Sequence, residues 1–173
     1  MEQTEELLVK VLFVGYCKVG KTCILLNLTD GNFRTTHNPT IGVEFGQCHS
    51  EDRKFKFQIW DTSGQESFKA IVKSYYRGAK IVVLVLDLSD RDSFEVMQQY
   101  KIKESVNMAD DDNSQFLLVG NKSDLNKKVT TDEAEQLALD NDMFYCEYSA
   151  KNDLEMILIS KLNEIILKYY LQL

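Results

Sequence analysis

One proline and eight glycines in 173 residues leave no room for a collagen repeat, a proline-rich linker or a low-complexity tract. No apolar stretch comes near the ~18 residues of a bilayer-spanning helix. The N-terminal MEQTEELLVKVLFVG is acidic ahead of its apolar part and lacks a small-residue cleavage site, the reverse of a secretory signal. The four cysteines (Cys17, Cys23, Cys48, Cys146) form no CxxC pair and no His cluster at zinc spacing, so reduced thiols in a cytosolic protein are expected. Positive charge is also scarce. Lys plus Arg number 20 against 27 Asp plus Glu, a net charge of −7. Such a body repels DNA, RNA and anionic lipid unless a local feature overrides the field, and no nucleic-acid partner is expected.

What is present is ordinary for a globular chain: 44% hydrophobic and 27% charged residues. The length predicts one domain spanning 1–173. A chain of this size buries about 70% of its unfolded surface and needs neither disulfide nor metal to hold a core.

Leu7–Val14 is a continuous apolar run ending at Gly15, the pattern of a strand buried on both faces. Lys21–Leu28 reads as a helix and Asp30–Pro39 as a loop. Gly42–Ser50 and Lys54–Trp60 read as strands joined by a charged turn at Glu51–Arg53, with Phe55, Phe57 and Ile59 on a buried face. Gly64–Arg77 is a loop passing into a helix. Ile81–Leu86 and Phe116–Val119 are short apolar strands, and Met143–Cys146 is a last one. Between them Phe94, Met97, Ile102 and Val106 give an imperfect helical spacing ending near Met108. Thr130 and Glu133 have the capping-box spacing before a helix through Leu139. Leu154, Ile157, Leu158, Lys161, Leu162, Ile165, Ile166 and Tyr169 form a stripe at i, i+3, i+4 spacing, a helix covering a sheet. Six strands alternating with about five helices predict an α/β fold: a mostly parallel sheet with helices on both faces and one antiparallel edge strand. Ligands of such folds bind beyond the carboxyl ends of the strands.

Three motifs fall there. Gly15-Tyr16-Cys17-Lys18-Val19-Gly20-Lys21-Thr22 is a GxxxxGK[ST] loop between strand and helix. Its backbone N–H groups and the helix dipole suit phosphates, Lys21 neutralises the outer ones, and the Thr22 hydroxyl suits Mg²⁺. In Trp60-Asp61-Thr62-Ser63-Gly64-Gln65-Glu66, Asp61 closes a strand where it can hold Mg²⁺ through water. There the Gly64 N–H can reach a terminal phosphate and Gln65 can orient an attacking water. Asn121-Lys122-Ser123-Asp124 follows a buried strand. Its Asp124 carboxylate can accept from the two donors of guanine that adenine lacks, and the Lys122 stem can lie along the base.

With these motifs in place the sequence resembles the Ras superfamily of small GTPases, and within it the Rab family, over essentially the whole chain. Thr40-Ile41-Gly42-Val43-Glu44-Phe45, Tyr75-Tyr76-Arg77-Gly78-Ala79 and Ser149-Ala150-Lys151 join the three motifs in family order. TIGVEF and YYRGA point to Rab, and HNPTIGVEFG looks closest to Rabs of the Golgi, secretory and recycling routes. The resemblance implies a three-layer P-loop G domain with switch I at 34–44 and switch II at 61–77. It implies GTP or GDP bound through Gly15, Lys18, Val19, Gly20, Lys21, Thr22, Cys23, Phe33, Thr40, Gly64, Asn121, Lys122, Asp124, Ser149, Ala150 and Lys151. Thr22, Thr40 and, through water, Asp61 would hold Mg²⁺, while Gln65, Lys21 and Gly64 would serve hydrolysis.

The same resemblance implies an exchange factor, a GTPase-activating protein, and effectors bound through Phe45, Trp60 and Tyr75, with the G domain acting as a monomer. Intrinsic hydrolysis of about 10⁻³ s⁻¹ or slower is expected without an activating protein. Arg34 and Arg77 do not match a built-in arginine finger. Rab proteins usually end in a prenylated tail, which brings the membrane and a GDP dissociation inhibitor as partners. Here the last cysteine, Cys146, lies 27 residues before Leu173, inside an expected strand. The expectation is therefore a G domain without its tail, cytoplasmic as it stands and membrane-bound only with one.

Departures from the family pattern bear on turnover. Cys17 and Lys18 replace small residues and are expected to slow hydrolysis while nucleotide binding is retained. Ser63 replaces an alanine at the switch II hinge, and His37 replaces an aromatic lid. Two readings follow: a GTP-hydrolysing switch for membrane traffic, or a guanine-nucleotide-binding module that hardly turns over. An ATP-using phosphotransferase would need an acceptor site and an arginine-bearing lid, and the sequence offers neither.

Overall fold

The computed structural model describes residues 6–31, 40–109 and 113–170. Its strands are β1 (Leu7–Gly15), β2 (Val43–His49), β3 (Phe55–Thr62), β4 (Ile81–Asp87), β5 (Gln115–Asn121) and β6 (Phe144–Glu147). The helices are α1 (Lys21–Asp30), α2 (Lys69–Tyr75, after a 3₁₀ turn at Glu66–Phe68), α3 (91–108), α4 (Thr131–Leu139) and α5 (Glu155–Tyr170). They interleave to give one sheet of order β2-β3-β1-β4-β5-β6, in which only β2 pairs antiparallel, with β3. The α/β architecture with one antiparallel edge strand is the one expected from the alternation of elements.

The sheet separates two apolar clusters. Alternate residues of β1 supply both: Val9, Val11 and Phe13 pack with α1 and α5, whereas Leu12 and Val14 pack with Phe94, Met97 and Ile102 of α3 and Ala134 and Leu137 of α4. Burial on both faces holds for β4 throughout, but β1 starts with Leu7 and Leu8 about half exposed. The strand expected to be buried end to end is therefore buried only from Val9 onward.

The imperfect spacing in α3 has a structural origin. Met97–Lys101 is a π turn, in which the Ile102 N–H reaches back five residues to the Met97 carbonyl. That extra residue keeps Met97 and Ile102, five apart, on one buried line. The line continues through Ser105, which is buried, and Val106 lies exposed instead of facing the core. In α5, Leu158, Ile159, Leu162, Ile165 and Ile166 form the inner face, while Ile157 and Tyr169 of the expected stripe are exposed, as is Leu154, which precedes the helix. The capping box at α4 forms as the spacing predicts: Thr130 Oγ1 accepts from the Glu133 N–H and Glu133 Oε2 accepts from the Thr130 N–H.

Candidate functional site

β1, β3, β4 and β5 end side by side, at Gly15, Thr62, Asp87 and Asn121, and the Gly15–Thr22, Asp61–Glu66 and Asn121–Asp124 segments lie at or just beyond those ends, whereas Tyr75–Ala79 leads into the opposite, amino end of β4. α1 begins there without a cap. Its N-cap, Gly20, is left-handed at φ 96°, no side chain bonds the first-turn amides, and no acidic residue occupies that turn. By contrast α3 and α4 are capped by Asp90 and Thr130. The open end of α1 leaves its N–H groups and positive dipole end directed at whatever anion the loop receives.

Lys21 folds back over the loop, its Nζ donating to the carbonyls of Gly15 at 3.1 Å and Tyr16 at 3.0 Å. Burial pulls its ammonium down to about 8 against the opposing attraction of Asp61. Thr22 Oγ1 donates to Asp61 Oδ2 at 2.5 Å, so the 2.9 Å bond between Thr22 and Thr40 hydroxyls is one that Thr40 donates. Asp61 is fully buried, and its Oδ1 has no hydrogen-bond partner. Burial raises its carboxyl to about 6, more than the Thr22 hydroxyl and Lys21 lower it.

Two hydroxyls and a buried carboxylate with a vacant oxygen are a donor set suited to a small hard cation. Among the described residues no group of three His, Cys, Asp or Glu assembles a complete protein cage. This fits Mg²⁺, which takes one or two protein carboxylates and completes its shell with water and phosphate oxygens.

Asn121 joins the two halves of the site. Its Nδ2 donates to the Val19 carbonyl at 2.8 Å and its Oδ1 accepts from the Ala150 N–H at 3.3 Å, and the side chain is buried. Lys122, left-handed at φ 60°, reaches across to the Lys18 carbonyl at 2.9 Å and pairs with Asp87 at 2.5 Å. Asp124 is exposed and its Oδ1 accepts from the Ser149 hydroxyl at 2.6 Å, which holds the carboxylate beside the Ser149–Lys151 loop. The Ser149 N–H is tied to Asp153 at 2.7 Å, and Lys151 is exposed. Half-buried Cys23 lies in the first turn of α1.

Gly64 lies against the phosphate loop so closely that a Cβ there would meet the Cys17 N at 2.6 Å. Gln65 is exposed and extended, and its N–H bonds the Ser63 hydroxyl at 3.3 Å, so Ser63 does contact the hinge. Cys17 is half-buried and Lys18 is left-handed at φ 65°. Phe33, Arg34 and His37, and the part of the expected switch I before Thr40, lie outside the described residues.

Phe45, Trp60 and Tyr75 form a continuous aromatic row, with centroids 4.8 Å and 5.1 Å apart and Phe45 half exposed. Lys10 Nζ stands 5.7 Å from the Trp60 ring centre.

Sequence reasoning missed three parts of this region. Asp87 at the end of β4 anchors Lys122. Buried Tyr148 donates its hydroxyl to Asn27 of α1, fastening the Ser149 loop from behind. The third is a group of four charges, Glu66, Lys69, Lys101 and Glu104, between the segment expected to be switch II and α3. The five-residue step from Met97 to Ile102 was the only trace of that group in the sequence. A protein-family model described as the Ras family matches residues 10–166.

Proposed function

The chain belongs to the Ras family, small GTPases that switch on guanine nucleotide, and from that membership we propose that it acts as a Rab-like switch in membrane traffic. It binds GTP with Mg²⁺, engages effectors in that state, and hydrolyses GTP slowly to GDP. The observation that carries the nucleotide reading is the bridge at Asn121, which couples the phosphate loop at Val19 to the base-side loop at Ala150. In the proposed roles Lys21 and the uncapped start of α1 hold the phosphates. Gly64 and Gln65 address the terminal phosphate and the attacking water, and Asp124 selects guanine. Thr22, Thr40 and Asp61 would hold Mg²⁺, which when bound neutralises phosphate charge. Thr40 and Gly64 both depend on the terminal phosphate, so its loss releases two loops together.

The Rab reading is supported by the Phe45–Trp60–Tyr75 row, an aromatic line across β2, β3 and α2 in which Phe45 is exposed and Trp60 and Tyr75 are half-buried. Exchange factors and activating proteins regulate Ras-family switches generally. A Rab would add a GDP dissociation inhibitor and, through a lipidated tail, a membrane of the Golgi, endosomal or secretory route. The domain itself would be cytoplasmic and monomeric.

Three measurements test the proposal. Nucleotide extracted from purified protein should be GDP or GTP, and bound ADP would remove the guanine reading. Chelating Mg²⁺ should speed nucleotide release. Phosphate release should rise with a Rab-activating domain, and capture by a Rab effector should need GTP and be lost in Phe45→Ala.

The second reading, a binding module that hardly turns over, is favoured by one observation. Lys18 adopts a left-handed backbone in the phosphate loop, where glycine would relax the turn. Single-turnover hydrolysis unchanged by Cys17→Ser with Lys18→Gly would dismiss the idea that these two residues slow the reaction.

A further inference from the structure

Switch II is poorly anchored by apolar contact. Neither the 3₁₀ turn Glu66–Phe68 nor α2 contains a buried residue, and neither begins with a side-chain cap. Val72 and Tyr75 pack only partly against the core. Tyr75 at its far end packs on the Trp60 ring, and what attaches its first turns is a row of charges. Lys69 Nζ of α2 lies 2.6 Å from Glu104 Oε1, Lys101 Nζ lies 3.0 Å from Glu104 Oε2, and the same Nζ lies 3.6 Å from Glu66 Oε1. The Lys101 and Glu104 side chains are each only 16% exposed, so water and salt screen them little. Burial would raise the Glu104 carboxyl, yet the two ammonium groups outweigh it and hold the carboxyl below its ordinary range.

The π turn is what aims these groups. In an unbroken helix the residue four beyond Met97 would follow it into the core, and that residue is Lys101. The widened turn sends Ile102 inward and leaves Lys101 on the flank, one turn from Glu104. Both line a cleft whose other walls include Gly15, Ser63, Gln65 and Glu66.

We propose that Lys101 and Glu104 are positioning residues for GTP hydrolysis, clamping the first turns of switch II to α3 and so holding Gly64 and Gln65 beside the phosphate loop. The inference rests on the GTPase reading above. Neither residue touches the reacting atoms; each acts through the segment that begins at Gln65.

The test uses Lys101→Met, Glu104→Gln and Lys69→Met, with Lys101→Arg as the conservative replacement. Lys69 is largely exposed, so its variant breaks one limb of the clamp at little risk to folding. Hydrogen exchange over 66–75 should quicken about five- to tenfold in the first three variants. Single-turnover hydrolysis should slow by a similar factor, nucleotide release should stay within about twofold, and Lys101→Arg should restore both exchange and hydrolysis. Exchange and hydrolysis unchanged in the first three variants, or hydrolysis that quickens, overturns the proposal. Should the wild-type chain bind no guanine nucleotide, the GTPase reading fails, and the exchange measurement alone still decides whether the clamp exists.

Discussion

Replacing Asn121 with alanine separates the loop at Val19 from the loop at Ala150, the phosphate and base sides of the proposed nucleotide site. The side chain is 1% exposed, and its two bonds run to backbone groups of residues that are themselves buried, Val19 at 1% and Ala150 at 4%. Alanine leaves the Val19 carbonyl and the Ala150 N–H without those partners, each at about 1–3 kcal/mol. The 3.3 Å bond to Ala150 is the longer of the two and belongs at the lower end of that range. A total near 3 kcal/mol is expected, which for a urea m-value of about 2 kcal/mol/M moves the unfolding midpoint down by about 1.5 M with the slope unchanged. Bound nucleotide requires both loops in their joined arrangement, so GDP release should also quicken by at least about tenfold, since each 1.4 kcal/mol is a decade. Urea unfolding of the nucleotide-free protein and release of a fluorescent GDP analogue measure the two effects. A midpoint within about 0.3 M of wild type together with release within about twofold would refute the bridging role.

Three further outcomes are expected. Gly20→Ala should abolish tight nucleotide binding in an equilibrium titration, because its Cβ would lie 2.4 Å from Asn121 Nδ2 and its backbone sits at φ 96°. Tyr148→Phe should cost about 1–3 kcal/mol in urea unfolding by orphaning the buried side-chain Oδ1 of Asn27, and nucleotide release should quicken as the Ser149 loop loosens.

Glu133 predicts a pH effect. The Thr130 N–H, then Arg91 and the Thr130 hydroxyl, hold its carboxyl down to about 2, below the ordinary 4.5. A depressed carboxyl adds stability that is present above the unfolded value and lost as pH falls through the folded one. The wild type should therefore lose stability relative to Glu133→Gln between about pH 5 and pH 2, measured as the difference between the two thermal unfolding curves.

The sequence by itself determined whatever is local or periodic. Gly15–Thr22 specifies a strand–loop–helix turn with an uncapped helix start, because its backbone and the first turn of α1 are contiguous in the chain. The Thr130/Glu133 box closes within one turn, and the apolar run of β4 admits no face that is not buried. Tertiary structure alone decided which distant residues close on one another. Asn121 finds Val19 across 102 positions and Tyr148 finds Asn27 across 121, and no periodicity encodes either pairing. The sheet order does, by setting β1 beside β4 and β4 beside β5.

Where periodicity was read too simply, packing overruled it. Val106 gave its inward place to Ser105, and Leu154 and Ile157 lie outside the line of α5 that meets the sheet. The step of five from Met97 to Ile102 is visible in the chain. Only the folded core, by drawing both residues inward at once, turned it into a π turn that presents Lys101 to switch II.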